Sequence, residues 1–206
     1  MLPLIGVLAL QGAFESHRRR LADLGVASRE VRTPVDLAEV DALVMPGGES
    51  TTMSKLLVSS GLFDPLADRL AAGMPAFGTC AGMILLATEV LNGRPDQRSF
   101  GAIDITVQRN GYGRQLESFE TEIAVPALGP DAPAFRAVFI RAPKVVRVGE
   151  GVEVLAEHDG VPVLVRCGPI TVASFHPELA GDHRLHAQFL NTFVPSGHHP
   201  SHLESS

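Results

Sequence analysis

Pro75-Ala76-Phe77-Gly78-Thr79-Cys80-Ala81-Gly82-Met83 is the stretch that decides the fold. A short apolar run ends in Gly-Thr-Cys-Ala-Gly, and an apolar helical pattern, Met83, Ile84, Leu85, Leu86, Val90 and Leu91, begins directly after it. This order predicts a strand, a sharp turn and a helix. Gly78-x-Cys80-x-Gly82 is the cysteine counterpart of the G-x-S-x-G nucleophile elbow, in which flanking glycines let the backbone pack closely around a residue held on a strained turn. Cys80 then projects at the end of a sheet. It also sits at a helix N-terminus, whose partial positive charge and free N–H groups favour a thiolate over a thiol. The plainer alternative is a buried core cysteine beside a glycine turn.

Outward from the elbow, the first half of the chain alternates strands and helices. Leu4 to Leu10 reads as a strand followed by Gln11-Gly12, a helical pattern runs from Ala13 to Leu24, and Gly25 is its stop. Val26 to Val31 and Asp41 to Met45 read as the next two strands. The alternation predicts parallel βαβ units with right-handed crossovers, hence an α/β fold: a three-layer, open, mostly parallel sheet flanked by helices, flavodoxin-like. Such sheets bind ligands at the carboxyl ends of their strands, where Gln11, Gly47-Gly48 and Cys80 collect.

From Gly101 onward the predicted elements are short strands: Ile103 to Gln108, Thr121 to Val125, Ala137 to Ile140, Val152 to Ala156, Val161 to Val165 and Ile170 to Ser174. Asn110-Gly111, Asp159-Gly160 and Gly168-Pro169 are turn signals between them, which predicts antiparallel hairpins appended to the parallel core. A last helix, about Asp182 to Phe193, closes one domain over residues 1–194. The polar tail, residues 195–206, reads as disordered.

Two further stretches carry chemistry. In Pro46-Gly47-Gly48-Glu49-Ser50-Thr51-Thr52, two glycines follow a strand and precede Ser and Thr as N-cap candidates, so the loop can aim N–H groups at an anion. Elbow hydrolases take one oxyanion donor from the residue after the nucleophile and another from a loop after an earlier strand. Here those are Ala81 and the Gly47-Gly48 loop, against the alternative of a phosphate-binding or structural turn. In Ala173-Ser174-Phe175-His176-Pro177-Glu178, extended backbone would put His176 and Glu178 on one face. The glutamate can then take the proton side of one ring nitrogen and orient the other toward a nucleophile. The other histidines show no comparable partner pattern. His183-x-x-His186 has helical spacing without an acidic or cysteine ligand set, so no metal is expected.

Composition sets the bounds. The 206 residues suit one sizeable domain, burying roughly 70% of the unfolded surface. Lys+Arg 17 against Asp+Glu 23 leaves a net charge of -6, which gives no electrostatic case for nucleic acid or an anionic membrane. Cys80 and Cys167 lie far apart without an export signal, so a reducing cytoplasm is expected and Cys167 reads as an inert strand or turn residue. Leu4 to Leu10 is too short to span a membrane.

The chain order of Gly-Gly loop, cysteine elbow and His-x-Glu resembles the class I glutamine amidotransferases. It is closest to the family of glutaminase subunits of pyridoxal 5′-phosphate synthase, which serve vitamin B6 synthesis. Leu8-Ala9-Leu10-Gln11-Gly12, Met45 to Thr51, Arg109-Asn110-Gly111-Tyr112-Gly113-Arg114-Gln115 and Phe139-Ile140-Arg141-Ala142-Pro143 all look like that family's signatures, over about residues 4 to 193. Tyr112, Met83 and Ala180-Gly181 depart from its usual residues, and none touches the triad.

The resemblance implies a glutaminase that turns L-glutamine into L-glutamate and ammonia by a Cys80, His176, Glu178 triad, with Gly48 and Ala81 at the oxyanion hole. It implies substrate contacts from Gly47, Gly48, Glu49, Arg109, Ile140 and Arg141. It also implies no cofactor, a synthase subunit as partner, and Gln11 as the residue coupling that partner to the Gly47-Gly48 loop. A second amidotransferase branch, a cysteine peptidase or γ-glutamyl hydrolase on the same fold, and a flavodoxin-like binding subunit are the competing readings.

Overall fold

The computed structural model describes residues 3–111 and 118–193. The signature residues Tyr112, Gly113, Arg114 and Gln115 and the tail beyond 194 lie outside them. In chain order the first elements are β1 (Ile5–Leu8), α1 (Phe14–Asp23), β2 (Ser28–Val31), α2 (Pro34–Ala38), β3 (Ala42–Met45), α3 (Ser50–Ser59), α4 (Phe63–Ala71), β4 (Ala76–Thr79) and α5 (Ala81–Leu86). Then come β5 (Ala87–Leu91), β6 (Ile103–Gln108), β7 (Ser118–Ile123), β8 (Phe135–Ile140), β9 (Lys144–Val148), β10 (Glu153–His158), β11 (Val161–Cys167), β12 (Ile170–Ala173) and α6 (Arg184–Asn191).

Seven strands form the main sheet in the order β10-β11-β12-β4-β3-β1-β2. The stretch from β12 to β2 is parallel, and β10 and β11 continue it antiparallel. Alternate side chains leave the strands on opposite faces, which divides the core in two. Leu8, Leu43 and Met45 pack with Leu57, Leu66 and Leu85 from α3, α4 and α5. Ile5, Val7, Ala42 and Val44 pack instead with Leu21 from α1 and Leu185 and Phe189 from α6. The result is the expected three-layer α/β architecture.

Local signals explain several boundaries. Thr33 and Asp36 form a capping box with Pro34 in the first helical turn of α2, and Gly25 (φ 68) ends α1 in the left-handed conformation. The Asp159-Gly160 turn joins β10 to β11 with both residues at positive φ, 49° and 70°, the signature of a type I′ hairpin.

Several expectations need correction. The helix after the elbow stops at Leu86, and Val90 and Leu91 belong to strand β5. An apolar run without a turn signal does not distinguish a helix from a strand by periodicity alone. Strand β9 was not expected at all. Ile170–Ala173 does form an antiparallel hairpin with β11 across the Gly168-Pro169 turn, but it is also a strand of the parallel core, running parallel to β4. The residues beyond Gly101 do build two small separate sheets, β5-β6-β9 and β7-β8, but β5 and β6 pair parallel. Finally, the N-cap of α3 is Glu49 rather than Ser or Thr, its carboxylate accepting the N–H groups of Thr51 (3.0 Å) and Thr52 (2.7 Å).

Candidate active site

Strand β4 ends at Thr79, and the chain turns at Cys80 with φ 49 and ψ -102 before entering α5. This conformation is rare for a side-chain-bearing residue and stores about 1–3 kcal/mol of strain. Both flanking glycines are required by contact. A methyl group on Gly78 would stand 2.7 Å from the Gly82 carbonyl carbon, and one on Gly82 would stand 2.1 Å from the Met45 carbonyl oxygen. The turn is tied to the next strand, the Cys80 N–H donating to the Ala173 carbonyl at 2.8 Å. The Cys80 thiol lies 3.7 Å from the Ile140 carbonyl oxygen, close enough to donate to it.

Because β12 runs parallel to β4 with Ala173 opposite Thr79, the three residues after it deliver His176 beside the elbow. The His176 N–H donates to the Val138 carbonyl at 2.8 Å. Its ring Nδ1 lies 2.8 Å from Glu178 Oε1. The backbone there is not extended: Pro177–Leu179 forms a 3-10 turn, with Pro177 in its first position. That turn brings the two side chains together. Burial alone would lower the His176 pKa, but hydrogen bonds to Cys80 and Glu178 and the Glu178 charge raise it to about 10. For Glu178, burial pushes the pKa up, and the facing His17 and His176 rings, with the hydrogen bond to His176, outweigh it and hold the carboxyl below its usual value.

A cavity of about 550 Å³ opens over the elbow. It brings together Gly48, Glu49, Cys80, Arg109, Ile140, Arg141 and His176 from the sequence reading, and adds Ile84 and Ser118. Gly47, Ala81, Glu178 and Gln11 stand outside its lining. Gly47 nevertheless lies close against Cys80 and His176, since a methyl group there would meet His176 Cε1 at 2.3 Å and Cys80 Cβ at 3.3 Å. Ala81 is the first residue of α5, and Glu178 is buried behind His176.

Arg109 is held within the wall. It donates to Glu49 Oε1 (2.9 Å), Thr51 Oγ1 (3.0 Å) and Gln97 Oε1 (3.2 Å). Glu49 is lowered to about 2: partial burial pushes the other way, and the hydrogen bonds from Thr51 and Thr52 prevail. Arg141, with φ 45, is exposed and forms no ion pair among the described residues. Gln97 came from no motif, and only the folded chain sets it against Arg109. Gln11 does adjoin the Gly-Gly loop. Its Oε1 is buried without a hydrogen-bond partner among the described residues and would lie 3.4 Å from a methyl group on Gly48. Next to it, a methyl group on Gly12 would collide with the Gly47 carbonyl oxygen at 1.8 Å.

One expectation about the remaining histidines fails. His17 on α1 and His186 on α6 are both fully buried, 2.9 Å apart (His17 Nδ1 to His186 Nε2), and His17 Nε2 lies 3.3 Å from Glu178 Oε2. The only trace in the sequence is that His17 shares a helix face with Leu21 four residues on. Among the described residues no group of three or more His, Cys, Asp or Glu is placed to hold a metal ion.

A strained cysteine at the carboxyl end of an open parallel sheet, met by a histidine and glutamate arriving from the neighbouring strand, places the protein in the class of glutamine-amidotransferase-like α/β proteins. Solved structures agree. A crystal structure of a glutamine amidotransferase superposes with TM-score 0.84 at 48% identity, covering 91% of this chain and 97% of that one. A putative GMP synthase subunit from Thermoplasma acidophilum, at 17% identity and TM-score 0.66 over 93% and 94% of the two chains, shares the fold. The chain belongs to the SNO glutamine amidotransferase family, whose model matches residues 7–195. Among its relatives are pyridoxal 5′-phosphate synthase subunits PdxT. That of Parafrankia sp. (strain EAN1pec) is 54% identical over 188 residues, 91% of this chain and 92% of the relative. That of Herpetosiphon aurantiacus is 55% identical over 188 residues, 90% and 98% of the two chains.

Proposed function

We infer that this protein is a glutaminase, the ammonia-supplying subunit of a pyridoxal 5′-phosphate synthase, acting as one catalytic domain over residues 1–194. The observation that carries the reading is Cys80, held at positive φ over the cavity, with His176 beside it and His176 Nδ1 2.8 Å from Glu178. The relatives' names support the synthase assignment.

In this reading the Cys80 thiolate attacks the side-chain amide carbon of glutamine. The oxyanion is met by backbone N–H groups of Ala81 and Gly48. His176, protonated at neutral pH, gives its proton to the departing ammonia, leaving a thioester on Cys80. The neutral imidazole then takes a proton from water, whose hydroxide attacks the thioester and releases glutamate and the thiolate. Glu178 holds the imidazole orientation and favours its charged form. The α-carboxylate meets Arg141, which lines the cavity with Arg109 and forms no ion pair among the described residues. The Glu49 charge favours the α-ammonium, and Gly47 and Ile140 supply backbone contacts.

The PdxT relatives are named as synthase subunits, so in this reading a synthase subunit supplies the acceptor for the ammonia, and the pair forms a hetero-oligomer without nucleic acid or membrane. No helix among the described residues is long and apolar enough to cross a membrane. Both cysteines are free, which supports a cytoplasmic setting. Docking of the partner is relayed by Gln11, whose buried Oε1 has no hydrogen-bond partner among the described residues and would meet a methyl group on Gly48, into the oxyanion donors of the Gly47-Gly48 loop. Glutamate and ammonia release are compared with and without the synthase subunit, for the wild type and Gln11→Ala. Equal rates for wild type alone and in complex would remove partner activation, and full activation of Gln11→Ala would remove only the role of Gln11. No glutamine hydrolysis in the complex would overturn the function.

A further inference from the structure

We propose that His17 and His186 form a buried imidazole tandem that positions Glu178, extending the Cys80-His176-Glu178 chain two residues further into the core. The inference rests on the reading of those three residues as the reacting triad. Glu178 Oε1 is engaged by His176, whereas its other oxygen, Oε2, has no well-angled hydrogen bond among the described residues. Its side chain is fully buried, so an unanswered carboxylate oxygen there is costly. His17 Nε2 lies 3.3 Å from it and 3.2 Å from Thr79 Oγ1.

The tautomers follow from counting protons. Burial, the leading cause, keeps the pKa values of both His17 and His186 below the usual histidine value, so each ring is neutral and carries one N–H. Suppose His17 carried it on Nδ1 and donated to His186 Nε2. His17 Nε2 would then turn a lone pair toward the Glu178 carboxylate, and His186 would hold a buried N–H on Nδ1, an atom without a partner among the described residues. The reverse arrangement avoids both penalties. His186 Nε2–H donates to His17 Nδ1 across 2.9 Å, and His17 Nε2–H faces Glu178 Oε2 and Thr79 Oγ1.

The surroundings hold this state. Phe77 presents its ring edge-on to both imidazoles, with centroids at 6.5 Å and 5.6 Å. The charged and titratable groups acting on the pair are Glu178 and His176 from the turn after β12, Arg20 on α1, and His183 before α6. Of these only Glu178 favours a charge on His17. His17 touches neither the cavity nor any reacting atom, so its part is to position and polarise Glu178, and through it the His176 imidazolium.

The test uses the full chain and three variants. His17→Phe removes the donor at similar volume, His17→Gln keeps an N–H close to the place of Nε2, and His186→Phe removes the group that selects the tautomer. The expected result for His17→Phe, assayed with the synthase subunit, is a kcat lowered roughly 10- to 100-fold with KM unchanged. His17→Gln restores most of it and His186→Phe falls between. Iodoacetamide alkylation of Cys80 against pH, with Cys167 as internal reference, reads the thiolate without glutamine turnover, and its acid limb should rise by about one pH unit in His17→Phe. Nitrogen-15 NMR of the wild type should show Nε2–H on both histidines. A His17 carrying its proton on Nδ1 would overturn the proposal, whether or not the variants fold. So would a folded His17→Phe with wild-type kcat and acid limb. A wild type that fails to hydrolyse glutamine, with His17→Phe still showing the alkylation shift, would instead sink the glutaminase reading and keep the tandem.

Discussion

Gly47→Ala should leave the protein folded and cripple it. The backbone of Gly47 lies outside the left-handed region, so the cost is one of space. A methyl group there would stand 2.3 Å from His176 Cε1 and 3.0 Å from Nδ1, where ordinary contact begins at 3.4 Å. The ring must therefore give way by about 1 Å, a displacement that costs on the order of 10²-fold in rate, or about 2.7 kcal/mol of barrier. It cannot retreat freely. Its Nδ1 is held 2.8 Å from a fully buried glutamate, its backbone N–H is bound to Val138, and Cys80 Cβ closes the other side at 3.3 Å from the new methyl group. Overpacking of this kind lowers stability by roughly 1–3 kcal/mol. Stopped-time glutamate release with the synthase subunit measures kcat, and urea unfolding measures stability. A folded Gly47→Ala with wild-type kcat would refute the idea that Gly47 sets the position of His176.

Four further outcomes are expected. Cys80→Ala abolishes glutamine hydrolysis and keeps the fold, and a glutamine-analogue electrophile labels Cys80 and not Cys167 by mass spectrometry. Cys80→Gly should also be more stable than Cys80→Ala by about 1 kcal/mol, because glycine relieves the positive-φ strain, and equal melting would show that the turn is unstrained. Glu178→Gln retains substrate binding but lowers turnover roughly 10²- to 10⁴-fold, since an amide weakens the imidazolium and turns a donor toward the His17 N–H; wild-type turnover would make Glu178 structural only. Stability should fall on both sides of about pH 6.5. Below it, unfolding lets His17 and His186 take up protons that the folded core refuses, at up to about 1.4 kcal/mol per pH unit each, and as pH falls through the lowered Glu178 pKa its contribution is lost as well. Above it, the contribution of His176, complete below 6.5, is lost as pH rises toward about 10. Urea unfolding across pH 5 to 10 checks this, and an acid limb unaltered in His186→Phe would contradict the buried-neutral assignment.

Much of this protein is local in origin, and local origin is legible. Gly78 and Gly82 around Cys80, the glycines after β3, and His-Pro-Glu each state a backbone demand or a short-range pairing, so the elbow, the loop and two members of the proposed triad can be read from a few residues. The parallel order of the first half follows from alternation and handedness. What could not be read depends on register. Only the pairing of β12 alongside β4, with Ala173 opposite Thr79, brings His176 from nearly a hundred residues away to Cys80. An apolar run carries no mark of which strand it will lie beside, nor of whether Val90 and Leu91 continue a helix or belong to β5. The His17-His186 contact spans 169 positions and joins α1 to α6 beneath the sheet. Its chemistry arises from two helix faces meeting in a space where water cannot satisfy Glu178, and that space exists only once the chain has closed around it.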